Sequence, residues 1–216
     1  MEPRQMETPT RTLVEEAIDR GDADAAKKLL RSMEMDWLRN KDYSINWITS
    51  LLSFIGRRLG EPAVEEALRD FGDRYLAERR GGYAAVTPDV RLEGLVRAMK
   101  ANGADVELAE DDDKYVASFR CGSGGKLIDD GAYGPPRDYL TLHGPTPVTF
   151  GRETLPVYCA HCSVSNEIEP IEATGVPVTI EFPPENPGER CVHHVYKDPA
   201  RIPVEIYRRV GKEKPA

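Results

Sequence analysis

The chain has 216 residues, a formal net charge of -8 and a pI near 5.2. A chain of this length buries a core without disulfides, and its acidic balance argues against nucleic acid, whose recognition needs clustered Lys and Arg. The first residues lack the apolar core of a signal peptide, and no segment approaches the roughly 18 apolar residues of a membrane span. We therefore expect a cytoplasmic protein that does not enter a membrane.

The first half of the chain has the pattern of a helical region. Apolar residues recur at helical spacing over residues 12–103. This periodicity predicts a first helix over 13–20 and a second that starts at Asp22 or Asp24 and runs toward Leu38.

The most apolar stretch lies between Trp47 and Leu59. We predict that Asp42 caps this third helix, that Gly60 ends it, and that the helix is buried on most sides. Any face that it leaves exposed is the natural place for a partner helix, which would make the helical region the interface of a homodimer.

Two more helices are predicted before the pattern changes. One starts near Pro62 and ends before Gly81, and the other starts at Thr87 and ends before Gly103.

After the last helix the period becomes alternating, and proline and glycine become frequent. This pattern predicts a hairpin over 106–119, a long ordered loop over 129–150, and a second hairpin made of strands 176–182 and 190–197. We expect an α+β fold, in which a helical bundle (1–103) precedes a β-rich, metal-binding region (104–216) with an antiparallel sheet.

All four cysteines lie in this second half, and three of the four histidines stand close to them. In a reducing cytoplasm such cysteines are more often metal ligands than disulfides. A CxxC pair with one cysteine upstream and one downstream supplies four soft ligands for a tetrahedral centre. The neighbouring histidines favour zinc over an iron–sulfur cluster as the cofactor. The predicted metal ligands are Cys121, Cys159, Cys162 and Cys191.

The CxxC pair is the strongest metal signal. Val157 and Tyr158 have strand character, so we place Cys159 and Cys162 on the turn that leaves a strand. A redox role is less favoured, because no helix N-terminus follows the pair to lower a thiol pKa. His161, inside the turn, is predicted to line a pocket rather than to bind the metal.

Strand alternation sorts the last cysteine and its neighbours. Cys191, His193 and Val195 share one face, whereas His194 points to the other. Cys191 and His193 could therefore reach one metal together, and His194 is expected to be an ordinary core or surface histidine.

Cys121 decides between two kinds of site. If it is the fourth thiolate, the metal site is closed and structural; if His193 or water takes that position, Cys121 is free to act as a nucleophile. The segment after it could bind an anionic substrate group through backbone N–H groups, although a simple tight turn is the alternative. The residues of this segment are Gly122, Ser123, Gly124, Gly125 and Lys126.

Two further side chains complete the predicted site. Glu167 follows the CxxC pair and is the best candidate for a general base, with Glu169 as the alternative. Arg152 lies beside the proline-rich loop, where it could form the wall of a substrate pocket.

Three motifs carry a resemblance to known proteins. Cys-Gly-Ser-Gly-Gly-Lys-Leu from Cys121, Tyr-Cys-Ala-His-Cys from Tyr158, and Gly-Glu-Arg-Cys-Val-His-His-Val-Tyr-Lys from Gly188 resemble an uncharacterised bacterial family. More remotely, the chain is similar to the group of 4-vinyl reductase sensor domains and L-2-amino-thiazoline-4-carboxylate hydrolase-like proteins. That resemblance implies a small-molecule ligand; Cys191 alone matches its pattern, and the CxxC pair departs from it.

The sequence thus predicts a zinc-dependent hydrolase or lyase that acts on a small carboxylated or heterocyclic molecule. The predicted catalytic residues are Cys121, His161, His193 and Glu167. The alternatives are a non-enzymatic small-molecule sensor stapled by a four-thiolate zinc, and an iron–sulfur protein.

Overall fold

The computed structural model describes residues 6–76 and 86–215. The predicted α+β class is confirmed, because the described part of the first half consists mainly of helices and a four-stranded antiparallel sheet lies in the second half. The chain divides into two compact units, the first ending at Ser44 and the second beginning at Ile45. All of the strands described below belong to the second unit.

The elements before residue 120 follow the predicted order, whereas the second half contains short helices and a small two-stranded sheet that the sequence did not predict, including a strand inside the predicted loop over 129–150. The helices are α1 (Thr10–Asp19), α2 (Ala23–Leu59), α3 (Pro62–Phe71), α4 (Pro88–Ala101), α5 (Gly124–Asp129), α6 (Glu169–Thr174) and α7 (Val204–Arg209). The strands are β1 (Val106–Glu110), β2 (Lys114–Phe119), β3 (Thr141–His143), β4 (Thr154–Pro156), β5 (Ile180–Phe182) and β6 (Cys191–Tyr196). Within the described ranges, no helix has the length and apolar character needed to cross a membrane.

Helix α2 corrects one prediction. The second and third predicted helices are a single helix of 37 residues. The residues between them, 39–42, include neither glycine nor proline, so nothing in the backbone ends the helix there. Asp42 therefore lies inside the helix and does not cap it.

The expectation that residues 47–59 are buried on most sides is also wrong. Leu51 and Phe54 are 49% and 61% exposed, and the buried face is built largely from small side chains. That face consists of Ile45, Thr49, Leu52, Ser53 and Gly56. The Thr49 and Ser53 hydroxyls donate hydrogen bonds to carbonyl oxygens of their own helix, at 2.6 and 2.7 Å, and Ser53 Oγ also accepts the Leu140 backbone N–H at 3.0 Å.

The main sheet has the strand order β1-β2-β6-β5, and every neighbouring pair is antiparallel. The predicted 106–119 hairpin is confirmed as β1 and β2. In the second hairpin only Ile180–Phe182 of the predicted first strand is extended, and Glu181 pairs with His193 across it. Within β6 the odd-numbered residues are buried and the even-numbered ones half-buried, as the alternation predicted.

The CxxC segment is helical rather than a turn after a strand. A continuous helical run spans residues 157–174 and changes from a 3-10 turn to a π-helix at Ser163–Ile168 before α6. Pro170, which has no N–H, lies just after the π-helix and interrupts the usual hydrogen-bond ladder. Gly175 ends the run with a φ of +80°, a conformation that glycine adopts without strain.

One sheet face is covered by α4. Ala117, Phe119 and Cys191 form a buried cluster against the half-buried Leu92, Leu95 and Met99 of α4. Because the register sets Phe119 opposite Cys191 and Ala117 opposite His193, these side chains share that face. The same face carries the candidate site.

Candidate functional site

A cavity of about 520 Å³ lies between α4, the covered sheet face and the helical run at 157–174. Its apolar wall includes Leu95, Met99 and Phe119. Its polar wall includes Asn166, Thr179, Glu181 and His193, and three thiols and a second imidazole also reach it, from Cys121, Cys162, Cys191 and His161. The structure thus brings together most of the predicted catalytic side chains, with Glu167 outside this lining.

The prediction of a metal site is wrong, because these side chains are not positioned to bind one metal ion together. Within residues 6–76 and 86–215, no group of three or more His, Cys, Asp or Glu side chains is arranged to hold a metal ion. All four cysteines are unlinked thiols. The zinc-dependent enzyme is therefore not supported, and neither are the two alternatives, because a zinc staple and an iron–sulfur cluster need the same converging thiolates.

Glu181 is the most unusual side chain of the cavity wall. It is 0% exposed, yet only one of its carboxylate oxygens is occupied by the protein. Oε1 accepts hydrogen bonds from Asn166 Nδ2 at 2.6 Å and from Thr179 Oγ1 at 3.2 Å. Oε2 has no hydrogen-bond partner among the residues that the structure describes. A buried carboxylate oxygen without a hydrogen-bond partner is energetically costly, and a donor that reaches it would be bound strongly.

His193 stands next to this carboxylate. Its Nδ1 lies 3.4 Å from Glu181 Oε1 and 3.5 Å from Thr179 Oγ1, and its ring is 4.9 Å from the Phe119 ring. Burial lowers the pKa of His193, against the opposing influence of the Glu181 carboxylate. The imidazole is therefore neutral near pH 7 and cannot serve as the permanent countercharge of Glu181.

Glu167 lies behind the wall rather than in the cavity. It is 0% exposed, accepts the backbone N–H of Glu181 at 2.7 Å, and pairs with the guanidinium of Arg209. Arg209 also lies between the rings of Phe150 and Phe182, at 5.0 and 4.8 Å from their centroids. Burial raises the pKa of Glu167, and the Arg209 guanidinium opposes this shift and favours the ionised carboxylate. These contacts give Glu167 the role of positioning strand β5.

Cys162 and His161 form a close pair on the cavity wall. Cys162 Sγ lies 3.3 Å from His161 Nε2, and His161 Nδ1 is within hydrogen-bonding distance of the Tyr158 carbonyl oxygen. Burial raises the pKa of Cys162 well above that of a free thiol, and the Glu181 carboxylate adds to the shift. The Cys162 side of the pair is therefore a neutral thiol near pH 7.

The other three thiols have different surroundings. Cys121 is half-buried, with its Sγ 3.2 Å from Ser123 Oγ. Cys191 is buried in the cavity wall, and burial raises its pKa. Cys159 is also buried and has a raised pKa for the same reason, but it packs against Gly124, the first residue of α5.

The predicted anion-binding segment is explained by packing. A Cβ on Gly122 would lie 1.9 Å from the Asn102 carbonyl oxygen, and one on Gly124 would lie 2.9 Å from Cys159 Sγ. Gly124 and Gly125 begin the short helix α5. Of this segment, Ser123 lines the cavity.

The two predicted basic binding residues point elsewhere. Lys126 pairs with Asp130 at 2.7 Å within α5 and its C-cap. Arg152 donates a hydrogen bond to the Pro183 carbonyl oxygen at 3.0 Å and pairs with Glu185 at 2.7 Å. It lines a separate open depression of about 400 Å³. Neither side chain is part of the cavity at Glu181.

Sequence reasoning missed several polar groups of the cavity, among them Arg91, Asn166, Thr179 and Glu181. Arg91 donates to the Tyr196 carbonyl oxygen at 3.3 Å, whereas its buried Nε lacks a partner within the described part of the chain. Burial lowers the pKa of Arg91. Strand alternation in residues 179–181 was an available signal for Thr179 and Glu181, but helix α4 gave none for Arg91.

Comparison with known proteins adds no assignment: no protein-family model, curated protein or solved structure matches the chain. The function must therefore be argued from the cavity itself.

Proposed function

We propose that the protein binds a small organic molecule in this cavity. Glu181 accepts a hydrogen bond from an N–H group of that molecule. The observation that carries the proposal is the buried Glu181 carboxylate, with one oxygen held by Asn166 and Thr179 and the other without a described partner. The volume of the cavity, about 520 Å³, lies within the usual range for small-molecule sites.

The direction of the interaction follows from the hydrogen-bond inventory. An ionised carboxylate only accepts, so the group that satisfies Oε2 must be a donor. A protonated nitrogen or an amidine would also neutralise a charge that is costly to bury alone. The neutral His193 beside Oε1 leaves that charge available to the ligand.

The remaining walls describe the rest of the ligand. Leu95, Met99 and Phe119 suit a flat or aliphatic apolar body. Arg91 lines the same cavity with a buried Nε that can donate to an acceptor or an anionic group on the ligand. The ligand class is therefore a compact apolar molecule with an N–H donor at one end and an acceptor at another.

Calorimetric titration with aromatic amines and amidines tests this proposal, with benzamidine and benzylamine as probes and benzyl alcohol as the neutral counterpart. We expect the nitrogen probes to bind more tightly than the alcohol. Glu181→Gln should weaken their binding by about tenfold or more, because a hydrogen bond to a charged group contributes about 1.5–3 kcal/mol.

The matched control is Glu185→Gln, which removes an exposed carboxylate that pairs with Arg152 outside the cavity. It should leave the affinities unchanged. Equal binding of benzamidine to the wild type and Glu181→Gln, or the absence of binding by every nitrogen probe, would refute the proposal.

A further inference from the structure

The tautomer of His161 is set by its neighbour. The Tyr158 carbonyl oxygen can only accept, so His161 Nδ1, which lies against it, carries a proton. In the neutral ring the other nitrogen, Nε2, then presents its lone pair. That lone pair lies 3.3 Å from Cys162 Sγ, so the thiol is the donor and Nε2 the acceptor.

This arrangement has the three parts of an activated nucleophile: a thiol, a base within hydrogen-bonding distance, and a group that orients the base. The helical geometry of residues 157–162 builds it locally, because it brings the Tyr158 carbonyl oxygen against Nδ1 of His161. The edge of that ring is also held by Tyr158, whose ring centroid lies 4.7 Å away. Cys162 and His161 both line the cavity.

The other cavity thiol of similar exposure lacks such a base. Cys121 Sγ has Ser123 Oγ as its neighbour, and within the described residues no histidine nitrogen is hydrogen-bonded to it. A hydroxyl is too weak a base to accept the thiol proton. The two half-buried cysteines therefore differ in chemistry while they share one cavity.

We infer that Cys162 is a nucleophilic thiol that adds to electrophilic carbon in small molecules bound in the cavity, with His161 as its general base. This inference rests on the proposed function only in that the cavity must admit small molecules.

The proposed substrates are α,β-unsaturated carbonyl compounds, because a thiol and a base are enough for addition to them. The Cys162 proton moves to His161 Nε2 while the sulfur electron pair forms a C–S bond to the β-carbon of an α,β-unsaturated carbonyl compound. The π electrons of the C=C bond shift toward the carbonyl oxygen, and the α-carbon then takes the proton back from the imidazolium. No leaving group, oxidant or metal is needed, and the apolar wall of Leu95 and Met99 suits a neutral, soft electrophile.

N-Ethylmaleimide tests the inference directly, because it is a small neutral acceptor of this class. Under limiting reagent, intact-mass measurement and peptide mapping should find the first adduct on Cys162. His161→Gln should slow that adduct by about 100-fold, the size of a general-base contribution, while the rate at Cys121 stays unchanged.

Cys121 is the internal control for access to the cavity and for the fold, and His194→Gln is the matched histidine control, since His194 lies on the other side of β6. His161→Asn is a second variant in case His161→Gln alters the rate at Cys121. A first adduct on Cys121, or a Cys162 rate that neither His161 variant changes, overturns the inference.

Failure of this inference is distinguishable from failure of the proposed function. Benzamidine binding that is lost in Glu181→Gln, together with a first adduct on Cys121 or a Cys162 rate that neither His161 variant changes, supports ligand binding without nucleophilic chemistry. Selective labelling of Cys162 that His161 controls, together with no binding of any nitrogen probe, supports the thiol and removes the role of Glu181.

Discussion

Arg209 pairs with Glu167 and also donates a hydrogen bond to the carbonyl oxygen of Glu181, at 2.9 Å. Glu167 in turn accepts the Glu181 backbone N–H. The backbone of the residue that faces the cavity is thus held at both its polar groups by a buried ion pair. This arrangement explains how a short strand of three residues keeps Glu181 in place.

Removal of Arg209 should therefore destabilise the fold more than removal of the pair. Arg209→Met leaves the Glu167 carboxyl buried without its partner, which costs about 3–5 kcal/mol. The double variant Arg209→Met, Glu167→Gln should recover part of this loss, because a neutral amide tolerates burial better. Urea unfolding of the two variants measures the difference; an equal loss in both would show that the ion pair is not the source of the effect.

A second ion pair predicts how stability responds to acid. Glu172 pairs with Arg69 at 2.8 Å and with Lys212 at 2.6 Å, and the Arg69 hydrogen bond is the largest cause that lowers the Glu172 pKa from 4.5 to about 2. A lowered folded-state pKa stabilises the fold above about pH 4.5, and this stabilisation is lost as the pH falls toward 2.

Glu172→Gln should accordingly reduce the free energy of unfolding at pH 7 by about 1 kcal/mol, a small value because the pair is partly exposed to solvent. The difference from the wild type should shrink as the pH is lowered from 5 to about 2. Glu93→Gln is the control, because it removes an ion pair with Arg97 in which both side chains are largely exposed. A Glu172→Gln deficit that stays constant across this pH range would contradict the assignment.

Gly122 is predicted to be a packing requirement. A Cβ at this position would lie 1.9 Å from the Asn102 carbonyl oxygen, a backbone atom that cannot move without shifting the end of α4. Gly122→Ala should therefore destabilise the protein by about 1–3 kcal/mol or more, as overpacked sites do.

Gly94 is the matched control for that substitution. It lies within α4, and no atom is found within 4 Å of a Cβ built there. Gly94→Ala should stabilise the helix by about 0.5–1 kcal/mol, because alanine is the better helix former. Thermal unfolding of both variants gives the comparison, and similar melting temperatures for the two would remove the packing explanation of Gly122.

Local patterns predicted the parts of the fold that depend on local chemistry. The alternation of Cys191, His193 and Val195 against His194 follows from the twofold period of a strand and is present in β6. The 106–119 hairpin was predictable from the same twofold period, and the α+β class from the change between helical and alternating periods along the chain. Two predictions failed where a local signal was overridden: Asp42 as a cap, and a turn at Cys159 and Cys162.

Spacing along the chain did not predict the ligand set correctly. A CxxC pair with two distant cysteines is compatible with a metal centre, but whether the sulfurs converge depends on the path of the intervening chain. Here the helical run places Cys162 beside His161, and the packing of Gly124 places Cys159 under α5. No metal-binding group is found among the residues that the structure describes.

The sequence by itself determined which face of β6 carries Cys191 and His193, because side-chain direction in a strand depends on position alone. Only the tertiary structure decided what that face meets. Glu181 lies opposite His193 in the β5–β6 register. Arg91 belongs to a helix about 100 residues before β6 and donates a hydrogen bond to the Tyr196 carbonyl oxygen, so tertiary packing brings it to this part of the sheet. Strand alternation could place Thr179 and Glu181 on one face, but no periodic signal in the chain shows that Arg91 and Asn166 line the same cavity. The complete cavity could therefore be identified only in the folded protein.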